Sequence, residues 1–119
     1  MDILVSQETA RVPVTIFRVQ GLLNLGTAEQ LESRAQQVYD IGARYLLVDL
    51  SGVTSLTSAG LRVVLAVIKL FGTAEDKGKV SRTVKLAGPP PNILQVLKIA
   101  GFDSFVEIHD DVAKAVASF

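Results

Sequence analysis

The sequence contains no cysteine and no tryptophan, and its twelve basic residues are balanced by twelve acidic ones. The lack of cysteine excludes disulfides, thiol nucleophiles and thiolate metal sites. No basic stripe runs along the chain, so a nucleic-acid surface built on phosphate neutralisation is not expected. The N-terminal residues do not read as a signal peptide, and the longest apolar stretch, Val63–Leu70, is too short to span a bilayer. We therefore expect a protein of the reducing cytoplasm, with neither membrane nor nucleic acid as partner.

The composition is that of one ordinary globular domain. The chain has 119 residues, of which 49% are hydrophobic and 20% are charged. A chain of this size can build one hydrophobic core but has no room for a second. A single domain over residues 1–119 is predicted.

Hydrophobic periodicity predicts alternating strands and helices. The predicted strands are 3–7, 12–20, 45–50, 83–87 and 105–108. The predicted helices run from a capping box at Thr27 to Gly42, from Ser58 to about Phe71, from the segment starting at Gly88 to Ala100, and from Asp110 or Asp111 to Phe119. Residues 21–26, 51–57 and 72–81 are predicted connections. The order ββαβαβαβα predicts an α/β fold with a mixed, mostly parallel sheet of about five strands, packed against about four helices by right-handed crossovers.

Binding sites of open α/β sheets gather at the carboxyl ends of strands, which directs attention to the connection between Leu50 and Leu61. Five hydroxyl side chains stand there just before a strongly apolar helix. Either Ser58 or Thr57 can cap this helix, and a plain N-cap explains the spacing. The first turn of a helix also presents unpaired amides and a partial positive charge, which suit an anion or a phosphate on Ser58.

The helix that follows is more apolar than one buried stripe requires. The predicted stripe consists of Leu61, Val64, Leu65, Ile68 and Phe71. Val63 and Val67 lie outside it, so they are interpreted as an apolar contact patch beside Ser58. The alternative is that both valines pack under the 72–81 connection or against a neighbouring helix.

Other candidates for chemistry are weak. His109 is the only histidine, and a loop or helix-cap role is expected for it rather than a metal site. The chain has no Gly-x-Ser-x-Gly elbow, no Walker sequence and no Gly-x-Gly-x-x-Gly. Asp49 at a strand end is either catalytic or a partner of nearby loop amides. No catalytic residue, metal or cofactor is predicted.

Residues 49–53 (DLSGV), followed by residues 58–61 (SAGL), resemble the signature of the STAS domain of bacterial anti-sigma factor antagonists. Residues 21–24 (GLLN) and 27–31 (TAEQL) are similar to the first loop and helix of that family. Its later landmarks are matched by 86–88 (LAG), 96–97 (VL) and 101–102 (GF). The resemblance covers nearly the whole chain with matching spacing.

The resemblance implies a protein-binding module rather than an enzyme. The phosphorylated serine of the family corresponds to Ser58. The unmodified protein would bind an anti-sigma factor, usually a serine kinase of the histidine-kinase-like ATPase class. Phosphorylation would end binding, and a serine phosphatase of the metal-dependent class would restore it. The family often has acids where this chain has Asn24 and Thr57. The predicted partner-binding residues are Asn24, Thr57, Ser58, Ala59, Gly60, Arg62, Val63 and Val67.

Two alternatives remain open. The same fold serves as a scaffold or transporter-accessory module, in which Ser58 would only cap a helix. A small nucleotide- or anion-binding enzyme would use the same helix start, although no candidate base or phosphate-binding lysine lies in the motif.

Overall fold

The computed structural model describes residues 1–73, 76 and 79–119, so residues 74, 75, 77 and 78 of the predicted connection 72–81 lie outside the described residues. The strands are β1 (Asp2–Thr9), β2 (Pro13–Leu23), β3 (Leu46–Leu56), β4 (Val84–Ala87) and β5 (Glu107–His109). The helices are α1 (Ala28–Asp40), α2 (Ser58–Phe71), α3 (Pro91–Ile99) and α4 (Val112–Ser118). The predicted α/β architecture is confirmed. Within the described ranges, none of the helices has the length and apolar character needed to cross a membrane.

The strands lie in one sheet in the order β1-β2-β3-β4-β5. β1 and β2 form an antiparallel hairpin, and every later strand pairs parallel to its predecessor. Each parallel crossover leads to the next strand in the same direction. Crossovers of one hand therefore place α1, α2 and α3 on the same face of the sheet, and α4 covers the other.

The core has two layers because side chains alternate along each strand. Along β2, Phe17 and Val19 face the three-helix layer, whereas Val14 and Ile16 face α4. The five residues at 46–50 are all buried, as the continuous apolar run of a central strand predicts.

The strands β2 and β3 are longer than predicted. β2 continues to Leu23 and β3 to Leu56, so half of the predicted connection 21–26 and all of 51–57 except Thr57 is strand. Gly21, Asn24 and Gly26 interrupt the apolar pattern in the first segment, and glycine, serine and threonine interrupt it in the second. Pairing of the two strands up to Leu23↔Leu56, through two register shifts, holds them extended nevertheless. As a result Thr57 alone separates the end of β3 from the start of α2.

The predicted capping box at Thr27 is wrong. The Thr27 hydroxyl makes no bond to α1. It instead donates to the carbonyl oxygen of Leu22 at 2.7 Å and accepts from the amide of Asn24 at 3.1 Å. The side chain therefore fixes the turn between β2 and α1 rather than the helix itself.

The predicted buried stripe of α2 is confirmed for Val64, Ile68 and Phe71 and is wrong for Leu61 and Leu65. Val63 is 6% exposed and Val67 is 2% exposed, whereas Leu61 and Leu65 are only half-buried. The helix packs against β3 and also against α1. Helix α1 covers the side of α2 on which the two valines lie. Val63 and Val67 therefore belong to the core. They do not form an exposed contact patch, and burial against a neighbouring helix accounts for them.

Truncation of a valine on α2 should cost stability that an exposed leucine does not contribute. Val67→Ala removes two buried methyl groups, so we expect a loss of about 2 kcal/mol in the free energy of unfolding. Leu25, which is 83% exposed in the loop before α1, serves as control. Leu25→Ala should change stability by less than about 0.5 kcal/mol. Urea unfolding of both variants measures the difference, and equal losses would contradict the assignment of Val67 to the core.

Candidate functional site

Helix α2 begins at an exposed serine whose hydroxyl is not needed for capping. Thr57 is the N-cap, because its side-chain oxygen accepts from the Gly60 amide at 3.4 Å and its carbonyl oxygen accepts from the Leu61 amide at 2.8 Å. Ser58 is then the first helical residue and is exposed. Across the described part of the chain, no hydrogen bond to its hydroxyl is found. Of the two predicted caps, Thr57 is the one used.

The end of β2 holds this helix start in place. The Thr57 amide donates to the carbonyl oxygen of Leu23 at 3.1 Å. Gly60 lies against the same carbonyl, and a Cβ atom at Gly60 would also come within 2.8 Å of the Leu56 side chain. Gly60 is buried. Gly60, one of the predicted partner-binding residues, lets the helix approach β2 closely, and its burial leaves little of its surface open to a partner.

The electrostatics at the helix start favour a negative group. The amides of Ser58 and Ala59, in the first turn, have no acceptor within the helix, and the helix dipole adds partial positive charge. No acidic residue lies in this turn, and the exposed Arg62 follows one turn later. A phosphate on Ser58 would therefore be stabilised locally rather than repelled.

A shallow groove lies beside Ser58, between α1 and α2. It is lined by Leu25, Ala28, Glu29, Glu32, Ala59, Arg62, Val63 and Ala66. Leu25 is 83% exposed and gives this groove its most prominent apolar side chain. Leu25 is not among the residues that the sequence predicted for partner binding. An apolar side chain between Asn24 and Gly26, in an otherwise polar turn, was the available signal.

Asn24 supports the turn that carries Leu25. Its side-chain oxygen accepts from the Gly26 amide at 3.0 Å, and Asn24 itself is half-buried. Since Asn24 directly follows Leu23, it lies next to the start of α2. The structure thus brings Asn24, Thr57, Ser58, Ala59 and Arg62 to one surface, and it adds Leu25 to them.

Asp49 is a structural residue. Its carboxylate is buried and accepts from the Ser51 amide at 3.0 Å and from the Arg18 guanidinium at 3.4 Å. These contacts correspond to the predicted alternative, in which Asp49 pairs with nearby backbone rather than acting in catalysis.

His109 does have a serine nearby, which the sequence did not reveal. Its Nε2 atom lies 3.0 Å from a Glu107 carboxylate oxygen and 3.2 Å from the Ser118 hydroxyl. A catalytic triad needs the acid on one ring nitrogen and the serine on the other, whereas both partners here contact the same nitrogen. Ser118 also accepts from the buried Lys85 ammonium at 2.9 Å, so this cluster ties α4 to the sheet. No group of three potential metal ligands occurs among the described residues.

Comparison with known proteins identifies the family to which the chain belongs. The STAS domain family matches residues 5–115, and the chain therefore belongs to that family. A protein of Bordetella bronchiseptica named as anti-sigma factor antagonist BtrV is 34% identical over 101 residues, which cover 85% of this chain and 82% of the relative.

Solved structures show the same fold. An anti-sigma factor antagonist from Mycobacterium paratuberculosis superposes with a TM-score of 0.79 at 21% identity, over 98% of this chain and 93% of the other. The Bacillus cell fate determinant SpoIIAA in its phosphorylated form superposes with a TM-score of 0.63 at 16% identity, over 95% and 96% of the two chains.

Substitution of Thr57 by alanine should lower the stability of the protein more than substitution of Ser58 by alanine. Thr57→Ala removes the cap, and we expect it to lower the free energy of unfolding by about 1 kcal/mol. Ser58→Ala removes a solvent-exposed hydroxyl that caps nothing, so its effect should stay below about 0.5 kcal/mol. Chemical denaturation of the two single variants makes the comparison. A larger loss for Ser58→Ala would show that Ser58 caps the helix instead.

Proposed function

We propose that this protein is an anti-sigma factor antagonist that sequesters an anti-sigma factor and is switched off by phosphorylation at Ser58. The observation that carries the proposal is that capping of α2 and exposure of a hydroxyl fall on two different residues at the start of the helix. Thr57 supplies the cap, so the exposed Ser58 hydroxyl is available for modification without a cost to the fold. Family membership and the 34% identity to a protein named as such an antagonist support the same function.

The proposed contact surface is the Ser58 helix start together with the adjoining groove. Leu25 offers an exposed apolar side chain, Ala59 leaves the surface flat, and Arg62 supplies a positive charge. An apolar centre beside a charge is the usual composition of a protein–protein contact. The proposed partner is an anti-sigma factor that is itself a serine kinase of the histidine-kinase-like ATPase class, in the cytoplasm. The antagonist acts by binding and catalyses no reaction of its own.

In the proposed modification, the Ser58 hydroxyl oxygen attacks the γ-phosphorus of ATP, ADP leaves, and the hydroxyl proton passes to a base of the kinase. No acid or base of this chain is needed, because the kinase supplies the catalytic groups. A metal-dependent serine phosphatase then hydrolyses the phosphoserine and restores the hydroxyl.

The switch follows from the charge that the phosphate brings. A phosphoserine carries nearly two negative charges at neutral pH, and the amides of the first turn and Arg62 hold it on the protein's own surface. A partner that covered it would have to remove its water and match its charge. A penalty of about 3 kcal/mol would reduce affinity roughly a hundredfold, which is enough to exchange partners.

Two substitutions at Ser58 test the switch. Incubation of the protein with its kinase and ATP should label Ser58, as mapped by mass spectrometry, and Ser58→Ala should abolish the label. Because it removes only a hydroxyl, Ser58→Ala should bind the kinase about as tightly as the natural protein, whereas Ser58→Asp should bind roughly tenfold more weakly. Label on another residue, unaffected by Ser58→Ala, would contradict the proposal. Equal binding of the two variants would favour a scaffold module in which Ser58 is not a switch.

Substitution of exposed side chains in the groove tests whether the partner binds there. Leu25→Ala and Arg62→Glu should each weaken kinase binding by roughly tenfold, because central apolar and arginine contacts dominate interface energies. Ile99 at the end of α3 is 79% exposed and lies outside the groove, so Ile99→Ala is the matched control for Leu25→Ala. Isothermal titration measures the affinities, and thermal unfolding checks that the variants stay folded. An equal loss of affinity for Ile99→Ala and Leu25→Ala would place the contact elsewhere.

A further inference from the structure

The outer edge of β1 has the features of a strand that pairs with another strand. β1 is the terminal strand of the sheet and spans eight residues, Asp2–Thr9. Residues 3–7 carry no charge, and within them Leu4 is 54% and Val5 is 40% exposed. The other edge, β5, has only three residues, two of which are Glu107 and His109. A long, uncharged edge is what proteins normally shorten, charge or cover.

The hydrogen bonds of β2 show which backbone groups of β1 point outward. The Thr15 amide donates across to Tyr45, beside β3, at 2.9 Å. Successive residues of a strand direct their backbone groups to opposite sides, so those of Val14 and Ile16 are directed to β1. Their partners are Glu8 and Ser6.

The intervening residues of β1 therefore direct their amides and carbonyls away from β2. They are Ile3, Val5, Gln7 and Thr9. The proline at position 13 supports this alternation independently. Pro13 pairs with Thr9 and has no amide hydrogen, as suits a pair that makes no hydrogen bonds between the two strands.

We propose that two copies of the chain associate through β1, with the two β1 strands antiparallel and the two-fold axis at Ser6. Antiparallel pairing of a strand with its own copy is compatible with two-fold symmetry, so both copies use the same surface. The outward amides and carbonyls of each copy then bond to those of the other, and the two sheets become continuous.

Two registers, with the axis at Val5 or at Ser6, pair most of β1, and the charges of the strand favour the axis at Ser6. With the axis at Val5, Asp2 would lie opposite Glu8, and like charges opposite one another are unfavourable. With the axis at Gln7, the paired segment would shorten and its register would move toward the hairpin turn. With the axis at Ser6, no like charges meet, and the opposed residues are Asp2 and Ala10, Ile3 and Thr9, Leu4 and Glu8, and Val5 and Gln7. Of these opposed pairs, 3 with 9 and 5 with 7 consist of residues whose backbone groups point outward. These two pairs form the hydrogen bonds between the copies.

The contact is small and independent of the Ser58 surface. One strand pair buries less than the roughly 1,200 Å² of a stable interface, so association should be weak and should depend on concentration. No residue of β1 lines the groove beside Ser58. Binding of the proposed kinase and pairing of β1 are therefore separate properties, and either can fail without the other.

Cysteine substitution tests the register, because the natural chain has no cysteine. Ser6→Cys would place two thiols in directly opposed positions, whose Cα atoms in a pair of this type are about 4.5 Å apart, within disulfide reach. Leu4→Cys is the control on the same face, since its two copies would be displaced by about 13 Å along the strands. Under mild oxidation, Ser6→Cys should form a linked dimer roughly tenfold faster than Leu4→Cys. An equimolar mixture of Leu4→Cys and Glu8→Cys should form the mixed dimer in preference to either homodimer.

Proline at position 5 tests the backbone contribution. Val5→Pro removes an outward amide but no hydrogen bond to β2, so the sheet should be retained, as circular dichroism would show. It should abolish the preferential cross-linking of Ser6→Cys and the concentration-dependent increase in mass seen by sedimentation of the natural protein. Equal cross-linking rates for Ser6→Cys and Leu4→Cys, sedimentation as a monomer at high concentration, or a dimer unaffected by Val5→Pro would each overturn the proposal. If Val5→Pro proves unfolded, the cysteine rates and the mixed-dimer yield decide alone.

Discussion

The parallel pairing of β2 with β3, continued to Leu23 and Leu56, is the constraint on which the rest of the molecule depends. It brings the carbonyl oxygen of Leu23 against the start of α2, where the Thr57 amide bonds to it. Gly60 permits this approach, because any larger residue would collide with the same carbonyl. The position of Ser58 on the surface is therefore set by two strands that contribute no side chain to its chemistry.

This dependence on pairing explains which parts of the fold could be predicted from the sequence. Alternating strands and helices leave a periodic apolar pattern, and this pattern correctly predicted the order of elements and the start of α2 at Ser58. The extensions of β2 and β3 leave no such pattern. Residues 51–55 are rich in glycine and hydroxyl side chains, which suit a loop, and only the partner strand makes them extended.

Contacts between residues far apart in the sequence also decided which predictions about the site were right and which were wrong. Spacing alone predicted that a hydroxyl would cap α2, but it could not choose between Thr57 and Ser58, because the choice depends on the contact with Leu23. Helical periodicity indicated an apolar face, but its orientation depends on the position of α1, which lies far away in the sequence. Val63 was therefore placed on the surface, although α1 and the sheet together cover it.

The neutral side chain of Thr57 affects the charge at the start of α2, where the proposed switch lies. Where the family pattern has an acid, Thr57 still accepts the Gly60 amide, so the cap is kept while one negative charge is lost. The unmodified helix start is then positive from its dipole and Arg62, without an opposing carboxylate in the first turn. Phosphorylation of Ser58 would place about two negative charges at this locally positive helix start, beside a groove that Glu29 and Glu32 also line. A partner that places a carboxylate of its own at the unmodified helix start would thus be repelled by the phosphate after the modification.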